Sequence, residues 1–198
     1  MKKGITKILS ACVFAFVVFL AAGTQSKAAV NMGVKQTGAG SSYVDLAWDA
    51  QIGAGHYHTQ FSQDGKNWID MDNSSSPSES VYNLTQGASY YARVVAYKGS
   101  HYTGTHVMIG VSETAIVSTK PTEVSGLTQT AAGVNSVSMS WNASAGAASY
   151  VIYGYINYNW TQIGTSATNS ATITGVAATT STRFSVAAVK NVTGGTVT

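Results

Sequence analysis

The sequence is nearly without cysteine. Cys12 is its only one, and it falls in a stretch read below as a cleavable leader, so the remainder carries none. An exported chain without disulfides must hold itself together by its core. Charge is scarce too: Asp, Glu, Lys and Arg make up 10% of the residues. Almost no segment shows a helical period. Thr, Ser, Gly, Ala and Val dominate instead, which points to an all-β chain. Without helices there is no phosphate loop opening a helix. No nucleophile-elbow motif is present, and no carboxylate pair marks an evident pocket. Asp45, Asp49, Asp70 and Asp72 read as solvent-face or turn residues. Nothing in the sequence identifies an enzyme or calls for a cofactor.

Lys2, Lys3 and Lys7 precede an apolar run from Ile8 to Ala22, and Ser26-Lys27-Ala28 supplies small residues for cleavage. This reads as a secretory signal over residues 1–28, cut after Ala28. The run is shorter than the roughly 20 residues a spanning helix needs. The mature chain is expected outside the cell, free or wall-associated, with no membrane contact after cleavage. The leader takes Lys2, Lys3, Lys7 and Lys27 with it, leaving seven basic against eight acidic residues. No basic stripe remains to neutralise phosphates, which argues against nucleic acid as a partner.

The strongest internal signal is a repeat. Val44-Asp45-Leu46-Ala47-Trp48 is followed nine residues after the Trp by Tyr57. Val137-Ser138-Met139-Ser140-Trp141 is followed in the same way by Tyr150. Each is a period-2 strand, a short turn and a second strand. The copies are offset by 93 residues early and 92 later, as in Trp68 with Trp160 and Leu84 with Val176. A repeat of this length means two homologous domains rather than a solenoid. They are placed at 29–120 and 121–198, with Lys120-Pro121 as a short linker that limits motion between them.

In the first unit, Val34–Thr37 is the expected opening strand. His56, His58 and Gln60 face opposite Tyr57, Thr59 and Phe61. Asp64-Gly65 marks a hairpin, with Trp68 and Met71 on the return. Ser80–Leu84 reads as a strand, and Tyr90–Tyr97 alternates cleanly. Lys98–His106 reads as a long polar loop, and Glu113–Ser118 as the last strand. The second unit stops at Thr193–Thr198, where its last strand should begin. It is therefore expected to lack that strand, and the chain to be part of a longer protein.

At these residues the sequence resembles tandem fibronectin type III domains of secreted bacterial proteins. Trp48, Tyr57, Leu84, Gly87, Tyr90, Val94 and Ala96 fill the family's places in the first copy. Ser112-Glu113 through Thr119-Lys120-Pro121 resembles its last strand and exit. Trp141, Tyr150, Val176, Thr180, Val186 and Ala188 match in the second. Gln86 and Ala178 stand where the family has Pro, and Thr182 replaces the second copy's corner Tyr. The resemblance implies two consecutive seven-stranded antiparallel β-sandwiches with an immunoglobulin-like fold. It also implies a non-catalytic role in adhesion or spacing, through an extracellular protein or polysaccharide. The alternative is an accessory part of a larger secreted hydrolase.

The aromatic repeat residues belong to the expected core: Trp48, Tyr57, Leu84, Tyr90, Trp141 and Tyr150. The candidate binding face is outward: His56, His58, Tyr91, Arg93, Tyr97, His101 and Tyr102 in the first unit, Tyr153 and Tyr155 in the second, with Tyr158 at its hairpin. Aromatic and Arg side chains on a flat sheet are the types that dominate protein interfaces. His56, His58, His101 and His106 could also meet at one end of the sandwich and take Zn or Cu. Their spacing matches no strong metal motif, and the plainer expectation is a solvated, weakly basic strand face.

Overall fold

The computed structural model describes residues 29–100, 106–176 and 182–198. The expected leader, His101, Tyr102, Ala178 and Thr180 lie outside them.

The first unit opens with β1 (Ala29–Val30) and continues through β2 (Lys35–Ala39), β3 (Val44–Ala47), β4 (His56–Ser62), β5 (Ile69–Ser74) and β6 (Ser78–Val81). It ends with β7 (Ser89–Lys98), β8 (Val107–Ser112) and β9 (Ala115–Ser118). One sheet has the order β2-β3-β6; the other runs β1-β8-β7-β4-β5, with β9 also paired to β7. The chain crosses between sheets after β1, after β3, after β5 and after β6, so the two sheets share one core. Val44 and Leu46 on β3 are fully buried while Asp45 and Ala47 are half-buried, the signature of a strand with one core face.

The second unit repeats this plan. Its strands are β10 (Thr128–Ala132), β11 (Ser136–Ser140), β12 (Ser149–Ile156), β13 (Asn159–Ser166), β14 (Ser170–Thr174), β15 (Phe184–Val192) and β16 (Gly195–Val197). They form sheets of order β10-β11-β14 and β13-β12-β15-β16. The fold is all-β, two sandwiches in tandem. Among the described residues no helix is long and apolar enough to cross a membrane.

Three sequence expectations change. The strand expected at Val34–Thr37 lies at Lys35–Ala39, paired with β3 through a bulge between Gln36 and Gly38, and β1 precedes it. The last strand of the first unit starts earlier than Glu113. It is split into β8 and β9, because Ser112 turns its hydroxyl onto Val94 N–H and Glu113 C=O and interrupts the ladder. The second unit's last strand is not absent: β16 pairs Val197 with Lys190 and Gly195 with Val192, a three-residue strand.

The cores differ in size. Among the described residues the first unit packs fifteen buried apolar side chains, Trp48, Tyr57, Leu84 and Tyr90 included. The second packs six, with Trp141, Tyr150 and Ile152 at its centre. Tyr90 Oη accepts the Thr85 N–H at 2.9 Å, pinning the corner before β7. Thr182 occupies that place in the second unit.

The units meet at a tight joint. Gly87 and Gly146, both at positive φ (69° and 84°), bring their backbones together; a Cβ on Gly146 would lie 2.3 Å from Gly87 O. Only glycine fits such an approach. Lys190 Nζ donates to Gly87 O across the joint, and burial pulls its ammonium below the ordinary lysine value. Ile116 of β9 uses both backbone groups outward: its N–H donates to Thr193 Oγ1 (2.7 Å) and its C=O accepts from Thr193 N–H (2.8 Å). The free edge of β9 is thus capped by the second unit.

Candidate functional site

The outer face of the first unit's larger sheet is set by the β4–β7 register. His56 lies opposite Tyr97, Gln60 opposite Arg93 and Ser62 opposite Tyr91. Side chains on this face therefore stand in adjacent rows.

At one end the rings converge on Tyr97. The His56 ring stacks on it at 5.2 Å with an interplanar angle of 10°. His58 approaches at 4.9 Å and His106 at 5.0 Å. The His56 and His106 rings are 5.4 Å apart, and those of His58 and His106 6.1 Å. His56 is 3% exposed, which corrects the expectation of a solvated histidine face. Among the described residues, the Tyr97 and His106 rings and the Gly99 carbonyl lie against it. His56 Nδ1 lies 3.0 Å from Gly99 O. A carbonyl only accepts, so Nδ1 carries the proton and, in the neutral ring, Nε2 carries the lone pair. Among the described residues no group of three His, Cys, Asp or Glu side chains could hold a metal ion, and His101 lies outside them.

From this cluster a polar chain runs along the face. His58 Nδ1 is 3.9 Å from Asp70 Oδ2. Gln60 Nε2 donates to Asp70 Oδ1 at 2.6 Å, and Arg93 Nε donates to Gln60 Oε1 at 2.7 Å. The Arg93 guanidinium then lies over the Trp68 ring, 4.0 Å from its centroid, a cation–π contact. His58 and Gln60 hold the Asp70 carboxyl below the usual carboxylate value against the opposing effect of its burial. Burial, reinforced by the Asp70 charge, moves Tyr97 upward, and burial moves Arg93 downward against the Asp70 charge.

Asp70 is exposed, in keeping with its reading as a solvent-face residue. It belongs to the face network, because a bulge between Thr59 and Gln60 changes the pairing with β5. Thr59 lies opposite Asp72, yet Gln60 lies opposite Asp70. Trp68 was likewise hidden; its aromatic type was the only signal in the sequence. Tyr91 stands partly exposed at the far end, near Gly65.

In the second unit Tyr153 is half-buried and Tyr155 exposed on β12. Tyr155 contacts Trp160 across the hairpin at 5.3 Å, and the Arg183 guanidinium lies 5.9 Å from the Tyr155 centroid. This second aromatic group does not join the first unit's face. A cleft of about 410 Å³ lies at the joint between β2 and the β15–β16 hairpin. Its walls include Gln36, Lys120 and Gly194–Thr198, with no carboxylate or histidine side chain for acid–base chemistry.

No protein-family model and no curated protein matches the sequence. Solved structures are similar to it at low identity. The FN1–FN3 domains of chicken CNTN1 align at 15% identity over 85% of this chain and 66% of that one, with a TM-score of 0.45. A two-domain fibronectin type III segment of chicken tenascin aligns at 18% identity over 80% and 90%, with a TM-score of 0.39. A single human domain, from fibronectin type III domain containing protein 3, aligns at 18% over 48% and 91%, with a TM-score of 0.35. Each of the two units sets a three-stranded sheet against a larger sheet across a Trp–Tyr core, so the chain is a tandem of two β-sandwiches.

Proposed function

We propose that this chain is a non-catalytic binding and spacer module that works outside the cell. Its leader would direct export, and its first domain would contact an extracellular protein through the outer face of β4, β5 and β7. The observation that carries this reading is the Trp68–Arg93–Gln60–Asp70–His58–Tyr97 chain. Each polar member of it already has a partner in the chain, so the face is rigid before any ligand arrives. Preorganised Trp, Tyr and Arg are the residues through which protein surfaces bind most strongly. The stapled joint supports the spacer role, since it fixes the direction in which the face is presented.

The test is an array of purified extracellular and cell-wall proteins probed with the chain. Binding is expected for at least one protein, weakened roughly tenfold or more when Trp68→Ala and Arg93→Ala are combined. Binding that survives this pair unchanged would remove the face as the site. Mass measurement of the chain from culture fluid tests export, with cleavage after Ala28 expected.

A further inference from the structure

The β12–β13 hairpin of the second domain has a different chemistry. Ile156 pairs directly with Asn159, so the turn consists of Asn157 and Tyr158 alone. Both have positive φ, 49° and 66°. This two-residue turn suits Asn at its first position and glycine at its second. A tyrosine there is held in a conformation that Cβ-bearing residues rarely adopt. Its ring is 90% exposed, so no packing within the domain compensates. Strain kept at an exposed aromatic ring is the pattern of a ligand-contacting residue rather than a folding one.

Beside it stands Trp160, 51% exposed, edge to face with Tyr155. The equivalent Trp68 of the first domain is covered by Arg93. The surroundings are also unusual: from Val124 to Thr182 the sequence has no Asp, Glu, Lys, Arg or His. The tip therefore offers electron-rich ring faces and the amides of Asn157, Asn159 and Gln162, in a stretch of sequence, residues 124–189, whose one formal charge is Arg183.

We infer that this hairpin tip binds an uncharged polysaccharide. The apolar face of a pyranose ring presents C–H dipoles, which complement the negative face of an indole or phenol. Amide side chains both donate to and accept from sugar hydroxyls. With Arg183 as its one formal charge, 5.9 Å from the Tyr155 centroid, the tip has only a weak field to attract an acidic or phosphate-bearing polymer, and its aromatic and amide groups suit a neutral one. The site is separate from the first domain's face and does not depend on its partner.

The experiment uses the full chain against insoluble cellulose and chitin, soluble xylan and mixed-linkage β-glucan, with polygalacturonate and neutral phospholipid vesicles as contrasts. Retention on at least one uncharged polysaccharide is expected, unchanged between low and high salt. Trp160→Ala should weaken it roughly tenfold. Tyr158→Gly should weaken it too while leaving the thermal midpoint equal or higher, because glycine relieves the turn. Trp68→Ala with Arg93→Ala should leave it unchanged, which separates this site from the protein-binding face. The inference is overturned if no uncharged polysaccharide is retained. It is equally overturned if retention survives both hairpin variants, or if polygalacturonate or vesicles are preferred.

Discussion

Tyr57 meets Trp48 edge to face, with ring centroids 5.4 Å apart at 67°, and its hydroxyl accepts the Gln51 N–H at 3.0 Å. Tyr150 repeats both contacts, at 5.3 Å and 67° to Trp141 and at 3.0 Å to the Ser144 N–H. In each domain one tyrosine fills the core with its ring and caps the preceding turn with its tip. Tyr57→Phe and Tyr150→Phe keep the ring and strand a turn N–H, at a cost of about 1–2 kcal/mol. Trp48→Ala or Trp141→Ala empties the core and should cost about 3–5 kcal/mol. Urea midpoints of the four variants check the order; a Phe variant as damaging as the Ala one would contradict it.

The second domain should unfold first. Among the described residues its core is smaller, and Thr182 stands where Tyr90 pins the first domain's corner. Amides of β12 and β15 are expected to exchange with solvent faster than those of β4 and β7 in native-state hydrogen exchange. Tyr90→Phe should narrow the gap by lowering the first domain's protection by about 1 kcal/mol.

The joint should depend on two glycines. Gly146→Val would place atoms inside the Gly87 carbonyl and should separate the domains, read as a larger maximum dimension in X-ray scattering. Gly53→Ala is the control. Gly53 has the same φ of 84° but nothing within 4 Å of its would-be Cβ. It should cost stability through backbone strain and leave the overall dimension unchanged.

Acid should weaken the first domain in a defined window. Asp64 accepts the N–H groups of Asn67 and Lys66, with further bonds from Ser62 Oγ and the Asn67 amide. These hold its carboxyl well below the ordinary range, and Asp70 is lowered by His58 and Gln60. A carboxylate depressed in the folded state adds stability that is complete above the unfolded value, about 4, and is lost as pH falls through the folded value. Glu79, raised chiefly by burial and next by Asp72, opposes this trend. Urea midpoints should hold from pH 6 to about pH 4 and drop below it. Asp64→Asn with Asp70→Asn should flatten that drop.

The alternation of Val44, Leu46 and Trp48 and its recurrence 93 residues later made the sandwich repeat legible, because a strand buried on one face cannot hide its period. The split last strand was not legible. Gly110 and the Ser112 turn break the pattern, and only the ladder with β7 shows that Val107–Ser112 pairs. The candidate face was half legible. His56, His58, Arg93 and Tyr97 follow from the parity of β4 and β7, while Asp70 depends on a bulge that resets the parity of β5.

The sequence alone determined the all-β class, the two copies and their buried Trp–Tyr pairs, since these rest on local period and residue type. Tertiary structure decided which neighbours the outward side chains meet. Whether a histidine is solvated or buried, and whether a tryptophan is covered like Trp68 or open like Trp160, depends on which residues distant in sequence stand beside it. That placement comes from strand register and hairpin geometry, which no periodicity encodes.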